Sequence, residues 1–317
     1  MELRWYGDTF GHRNLSAVGL ASRSAGGRSG PGFPLRRGPL GPSCNNLDTM
    51  PHVRTADFDC WYADDCFAAP WLSPTTVLIQ AGFGRNGEYW RGWVPGLARD
   101  RRVIRRDMRA HGGSTAGNQP WSVELLADDI VGFLDALGLD RVHYIGESVG
   151  GITGIALGAR SPDRFHSITL VQSPIRLGPL LQDAMRGTYP TWSAALRDLG
   201  PGGWVTKNMP PGEPKTEWER AQWDRCDGDA LVRLADATMH VDVEHYVARV
   251  RTPTLILAPA QSPLTSLADQ LFLRTTIPRA QIEVFEGRGH NIYNDEPERC
   301  IERIRRFYAE VESATVR

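Results

Sequence analysis

The pentapeptide Gly146-Glu147-Ser148-Val149-Gly150 constrains this chain more than any other stretch. It follows an apolar run, Val142-His143-Tyr144-Ile145, that reads as a buried strand. It precedes Gly151 to Gly158, whose small and apolar residues read as a closely packed helix. Strand, Gly-x-Ser-x-Gly, helix is the context of a nucleophile elbow, a sharp turn that lifts a serine hydroxyl off the end of a strand. The glycines have a mechanical reason, since so tight a turn leaves no room for side chains two residues either side of the serine. The same turn aims the backbone N–H of Val149 at the reacting oxygen.

The rest of the chain supplies the sheet such an elbow needs. Val53 to Tyr62 alternates as one strand or two short ones. Thr75-Thr76-Val77-Leu78-Ile79-Gln80 is an apolar strand ending in Ala81-Gly82-Phe83-Gly84, and Val103 to Asp107 is another, ending in Met108-Arg109-Ala110-His111-Gly112-Gly113-Ser114. Trp121 to Leu137 carries apolar residues at helical spacing and is stopped by Gly138. Phe165 to Val171, Thr254 to Ala258 and Gln281 to Phe285 read as further strands, with helices over Ala268–Leu273 and Pro297–Val311. Strands alternating with helices in this way predict an α/β fold, a mostly parallel sheet covered by helices on both faces. The alternation breaks from about residue 174 to 250. That stretch holds Trp192, Trp204, Trp218 and Trp223, is mainly helical in pattern, and has Gly/Pro-rich interruptions at Gly200–Gly203 and Pro210–Gly212. It is expected to be a lid inserted between two parts of a core, residues 51–173 and 251–317.

Residues 1–50 differ from this pattern. Ala21 to Pro42 is dense in Gly, Ser, Pro and Arg without periodicity, and is expected not to fold. Two readings stand open for the segment: a disordered extension, or a misassigned start with the natural one at Met50. The formal charge of −1 gives no argument for nucleic acid or an anionic membrane as partner. No apolar run approaches the roughly 20 residues of a membrane span. The five cysteines are scattered, odd in number and show no C-x-x-C pair, so a disulfide framework or zinc site is not expected. A reducing, cytoplasmic setting is the simpler expectation, with no cofactor and no metal. The oligomeric state is left open.

A serine hydroxyl needs a base beside it. Among the eight histidines, His290 is the first candidate. It lies in Gly287-Arg288-Gly289-His290, in the loop between the last strand and the last helix, at the carboxyl edge of the sheet that also carries Ser148. His111 lies on the same edge and reads as structural or pocket-lining. His143 sits inside a buried strand, and His240 and His245 fall in the lid. The oxyanion donors are expected to be the N–H groups of Val149 and of Phe83, where flanking glycines let the backbone approach a ligand.

Four landmarks in order resemble the α/β-hydrolase superfamily, in its lid-bearing branch of esterases, lactonases and proline iminopeptidases. They are the strand with Gly82-Phe83-Gly84, Asp107-x-Arg109-x-x-Gly112-x-Ser114, the Gly146–Gly150 elbow, and Gly287-x-Gly289-His290. The resemblance covers about residue 53 to the C-terminus. It implies Ser148 as nucleophile, His290 as general base and acid, Phe83 and Val149 as oxyanion hole, and structural roles for Asp107 and Arg109. The chain also departs from the pattern. Ala81 stands where a histidine is frequent, and Ala110 where a glycine is expected. Ser262, in Pro259-Ala260-Gln261-Ser262-Pro263-Leu264, occupies the usual slot of the triad acid, and Ser173 the alternative slot. Losing the acid slows a triad by several powers of ten. Asp236, Asp242, Glu244 and Asp269 are candidate substitutes. Alternatively Ser262 or Ser173 orients His290 as a neutral acceptor. Glu147 adjoins the nucleophile, but its side chain should diverge from that of Ser148.

The expected activity is cofactor-independent hydrolysis of a carboxylic ester or lactone through an acyl-enzyme at Ser148. The substrate would be a hydrophobic or aromatic small molecule, suggested by Trp90, Trp93, Trp121 and the lid tryptophans. A C–C bond or amide hydrolase on the same scaffold, and a non-catalytic ligand-binding protein, are the alternatives that the absent acid keeps open.

Overall fold

The computed structural model describes residues 51–177 and 179–315, so the expectation for residues 1–50 lies outside the described residues. The strands are β1 (His52–Arg54), β2 (Asp59–Cys66), β3 (Thr76–Gln80), β4 (Arg102–Arg106), β5 (Val142–Glu147), β6 (Phe165–Val171), β7 (Thr254–Pro259) and β8 (Ala280–Phe285). They form one sheet in the order β1-β2-β4-β3-β5-β6-β7-β8. β1 and β2 pair antiparallel, β2 pairs antiparallel with β4, and the strands from β4 through β8 run parallel. The chain steps from β3 outward to β4 and then back across to β5. This reversal opens a crevice at the carboxyl ends of the strands, where ligands of open α/β sheets bind.

Of the two readings for Val53 to Tyr62, the structure has the pair of strands, β1 antiparallel to β2, and β2 runs on past Tyr62 to Cys66, opposite Arg102. Its last turns are polar because Asp64 and Asp65 face Arg102 and Arg105 of β4, an ion-pair ladder that hides the strand's alternation.

The helices are α1 (Val94–Leu97), α2 (Val123–Ala136), α3 (Val149–Arg160), α4 (Pro179–Arg186), α5 (Trp192–Asn208), α6 (Pro214–Trp223), α7 (Gly228–Thr238), α8 (Glu244–Val247), α9 (Leu267–Thr276), α10 (Ile292–Asp295) and α11 (Pro297–Thr315), with a 3₁₀ turn over Gly87–Trp93 before α1. Neighbouring residues of the central strands serve opposite cores. Leu78, Ile104, Tyr144 and Ile256 pack with α2, α3 and α9 on one face. Val77, Ile79, Val103, Ile145 and Leu257 pack with α1 and α11 on the other. Burial on both faces is why these strands read as continuous apolar runs. Trp90 and Trp93 belong to the second core, their rings 4.7 Å apart, and Trp93 Nε1 donates to Tyr293 O.

Between β6 and β7 the chain is helical (α4 to α8), in line with its pattern. The Gly/Pro stretch at 200–203 is a kink inside α5 rather than a break. Gly200 takes φ 69°, Pro201 restarts the helix, and the Gly202 N–H freed by the kink donates to Asp224 Oδ1 at 3.0 Å. Trp192, Leu196, Trp204, Trp223, Leu231 and Leu234 of this region form a third cluster with Phe83, Met108, Leu126 and Val149 of the sheet edge. Among the described residues, no helix is long and apolar enough to cross a membrane.

Candidate active site

Ser148 sits between β5 and α3 with φ 51° and ψ −112°, a backbone that L-residues adopt only under strain. The turn is held by its amide, which donates to Val171 O at 3.1 Å, and by its carbonyl, which accepts from Gly151 and Ile152 at 2.9 Å. The flanking glycines are required by contact. A Cβ on Gly146 would lie 2.2 Å from Gly150 O, and one on Gly150 2.4 Å from Gln80 O.

The loop after β3 lies directly over this turn, since a Cβ built on Gly82 would come within 2.9 Å of Ser148 Cβ. Its neighbours are tied down by other groups. Gly82 N donates to Glu147 Oε2 at 2.8 Å, Gly84 N to His111 Nε2 at 3.0 Å, and Arg85 N to Gly82 O. The N–H groups of Phe83 and Val149 make no hydrogen bond among the described residues. His111 is fully buried. Its Nδ1 lies 2.9 Å from Arg109 O and its Nε2 accepts from Gly84, so it is neutral with the proton on Nδ1. Burial without a countercharge pushes its pKa down to about 4. It shapes the Phe83 loop, as a structural reading of this histidine requires.

Asp107 and Arg109 hold backbone and loops. Asp107 accepts from Gly87 N at 2.7 Å and Gly113 N at 2.8 Å, and burial raises its pKa to about 6 despite both bonds. Arg109 makes a two-pronged pair with Asp129, both bonds 2.7 Å, and a third bond to Asp57. Ala110 takes φ 65°, the left-handed region for which a glycine is suited.

His290 lies in the loop after β8. Its Nδ1 is 3.1 Å from Ser262 Oγ. No carboxylate is hydrogen-bonded or ion-paired with it among the described residues. Asp236, Asp242 and Glu244 are exposed, and the last two pair with Arg176. The Asp269 amide is capped by Ser266. Ser173 is buried against Gly151, its Oγ donating to Val171 O, and does not reach the histidine. Burial, with the Arg85 charge adding to it, pushes the His290 imidazole down to about 3. Neither Ser148 Oγ nor His290 Nε2 has a hydrogen-bond partner among the described residues, so the contact between nucleophile and base is unmade here. His143, at the opposite end of the sheet, is satisfied by Ser167 Oγ and Glu312, while His240 and His245 are exposed.

One group of residues escapes a reading by motif. Glu147, fully buried, pairs with Arg85 Nη1 at 2.7 Å, and Arg85 Nη2 donates to Asn291 Oδ1 at 3.1 Å, next to His290. Glu147 also accepts from Gln172 Nε2 at 3.1 Å, and Gln172 Oε1 accepts from Ile292 N at 3.2 Å. The loops carrying Phe83, Ser148 and His290 are thus joined through one buried carboxylate. The available signal in the sequence was the charged residue inside an otherwise apolar elbow.

Beside Val149 a small apolar cavity of about 30 Å³ is walled by Trp121, Leu126, Ile152, Leu234 and Val241. A larger recess of about 360 Å³ shares Trp121 and Ala237 with it and carries Arg233 at its rim.

A mostly parallel eight-stranded sheet with a strained serine elbow at its ligand edge defines a class, and comparison with known proteins agrees. The chain has the α/β-hydrolase fold. Residues 75–201 match the family described as the alpha/beta hydrolase fold. A Caulobacter sp. (strain K31) protein named as a carbamate hydrolase, RutD, is 27% identical over 241 residues, covering 70% of this chain and 86% of its own. The 3-oxoadipate enol-lactonase 2 of Acinetobacter baylyi is 27% identical over 221 residues, covering 67% and 80%. In structure, a hydrolase from Pseudomonas aeruginosa PA01 superposes with a TM-score of 0.71 at 25% identity, over 83% of this chain and 99% of that one.

Proposed function

We propose that this protein is a serine hydrolase of a carboxylic ester or lactone, with Ser148 as nucleophile. The observation that carries the reading is the strained Ser148 turn lying under the Gly82 loop, with the N–H groups of Phe83 and Val149 making no hydrogen bond among the described residues. A buried backbone N–H is nearly always paired, so two unpaired ones beside a strained serine are suited to an oxyanion that forms only during reaction. Ser148 Oγ attacks the carbonyl carbon while His290 Nε2 takes its proton, and the negative oxygen lodges on the two N–H groups. Collapse expels the alcohol, which receives that proton, and water then releases the acid by the same steps.

Residues 174–250 act as the lid, and residues 51–173 with 251–317 as the core. The cavity beside Val149 suits a short apolar group of the substrate, and its size matches about two water-sized groups rather than an aromatic ring. Trp121 would face that ligand, whereas the lid tryptophans are not among the walls of the cavity. Trp90 and Trp93 lie in the core and do not contribute. The reaction as written uses no cofactor, and a cytoplasmic small-molecule role fits it.

The test is labelling by a fluorophosphonate probe together with a screen of short-chain and aryl esters, lactones, carbamates and amides. We expect labelling and ester or lactone turnover that both vanish in Ser148→Ala. Native protein that neither labels nor hydrolyses any of these between about pH 6 and 9, where a histidine base is available, would reject the proposal. Turnover of carbamates alone would shift it to the bond named for the RutD relatives.

A further inference from the structure

The slot expected to hold an acid holds Ser262, and the hydrogen bonds around that hydroxyl fix the direction of its contact with His290. Ser262 Oγ lies 3.1 Å from Leu264 N, 3.1 Å from Thr265 N and 3.1 Å from His290 Nδ1. The two backbone groups can only donate. A hydroxyl offers two acceptor lone pairs and one proton, so both lone pairs are taken and only the O–H remains for the imidazole. We infer that Ser262 donates to His290 Nδ1 and holds the neutral ring with its proton on Nε2, the nitrogen that must be bare to receive the proton of Ser148.

Ser262 is therefore a positioning residue of the opposite sense to a triad acid. A carboxylate in the same place has about four acceptor sites. It could take both backbone N–H groups and the Nδ1–H together, leaving Nε2 bare. The serine exchanges the tautomer rather than merely weakening the contact. The loop cannot readily turn the hydroxyl elsewhere, because Ala260 N donates to Phe285 O at 3.1 Å and Gln261 N to Arg288 O at 2.9 Å, pinning the β7 loop to the β8 loop. Nor is the doubly protonated ring an easy way out. Its Nδ1–H would meet no free acceptor on Ser262, and burial and the Arg85 guanidinium already oppose the charge.

This inference rests on the reading of Ser148 and His290 as nucleophile and base, and on that reading turnover passes through the minor tautomer. Placing the wrong tautomer in a serine triad lowers kcat by about 10⁴.

The first test needs no variant at Ser262. Full-length protein labelled with ¹⁵N-histidine is examined by long-range ¹H–¹⁵N correlation near pH 7, the His290 signals being assigned by their loss in His290→Gln. We expect a protonated Nε2 and a bare Nδ1, and a protonated Nδ1 in the native protein would overturn the inference. The second test compares Ser262→Asp with Ser262→Ala. The aspartate variant should move the proton to Nδ1 and raise kcat by about 100-fold or more. A moved proton without a gain in kcat would overturn the claim that the tautomer limits turnover. The alanine variant, which removes the donor to Nδ1 without supplying an acceptor, should raise kcat a few-fold. A drop of ten-fold or more, with the fold intact, would show that Ser262 accepts from Nδ1–H and assists catalysis. Native protein that hydrolyses nothing would reject the hydrolase reading while leaving the tautomer measurement to stand or fall alone.

Discussion

Single residues carry the backbone strain of this site. Among the described residues, three non-glycine residues have positive φ, namely Ala110 (65°), Ser148 (51°) and Gln172 (44°), and all follow strands at the ligand edge. Ser148 has a reason to be there, because the strain projects its hydroxyl. Gln172 has one too, since its amide links Glu147 to Ile292. Ala110 has no comparable use for its side chain, which is a buried methyl at a left-handed position. Left-handed backbone costs an L-residue roughly 1 kcal/mol or more. Ala110→Gly is therefore expected to stabilise the protein by about 0.5–1 kcal/mol, after the unfolded glycine's greater freedom is counted. Urea unfolding reads this directly, and a lower midpoint in the variant would contradict it.

At the scale of elements, the loops after β3, β5, β6 and β8 are bound into one unit by the Arg85–Glu147 pair and the amides around it. The pair is largely dry, with Arg85 14% exposed and Glu147 0%. Removing one partner of a buried pair strands the other charge, at a cost of about 3–5 kcal/mol. Arg85→Met should fall in that range and lower kcat as well, because Asn291 beside His290 loses its donor. Adding Glu147→Gln should recover part of the stability, since the stranded charge is gone. A double-mutant cycle on unfolding free energy checks this. Additive losses would mean the two side chains act independently.

For the whole molecule, acid stability is a contest between groups shifted in opposite directions. His111 falls from the ordinary 6.5 to about 4 and His290 to about 3. Their unfolded forms bind protons that the folded forms refuse. The stability they contribute is complete above pH 6.5 and is lost as pH falls toward their folded values. Asp107 runs the other way. With its pKa raised from 3.8 to about 6, it favours the folded state as pH drops through that window. Two histidines outweigh one aspartate, and His166, also held down to about 4, adds to them, so stability falls from pH 7 to pH 4. The urea midpoint should fall accordingly. It should fall less in His111→Gln, which keeps a donor and an acceptor without a titrating ring. A native midpoint that is flat or rises on acidification would show the balance to be wrong.

The alternation of strands and helices, the elbow and the places of Ser148, His290 and Phe83 along the chain are legible in the residues alone. These depend on local physics: two-faced burial makes apolar runs, and a tight turn demands glycine on both sides of its serine. The residues alone also mark Ser262 as the occupant of the acid's place. What that occupant does follows from its surroundings in three dimensions. The direction of a hydroxyl's hydrogen bond depends on every donor around it, and here the Leu264 and Thr265 amides use both lone pairs of Ser262. The tie between Arg85 and Glu147 was hidden for the same reason. Its partners stand 62 residues apart, and a buried charge reveals its partner only once strands from distant parts of the chain lie side by side.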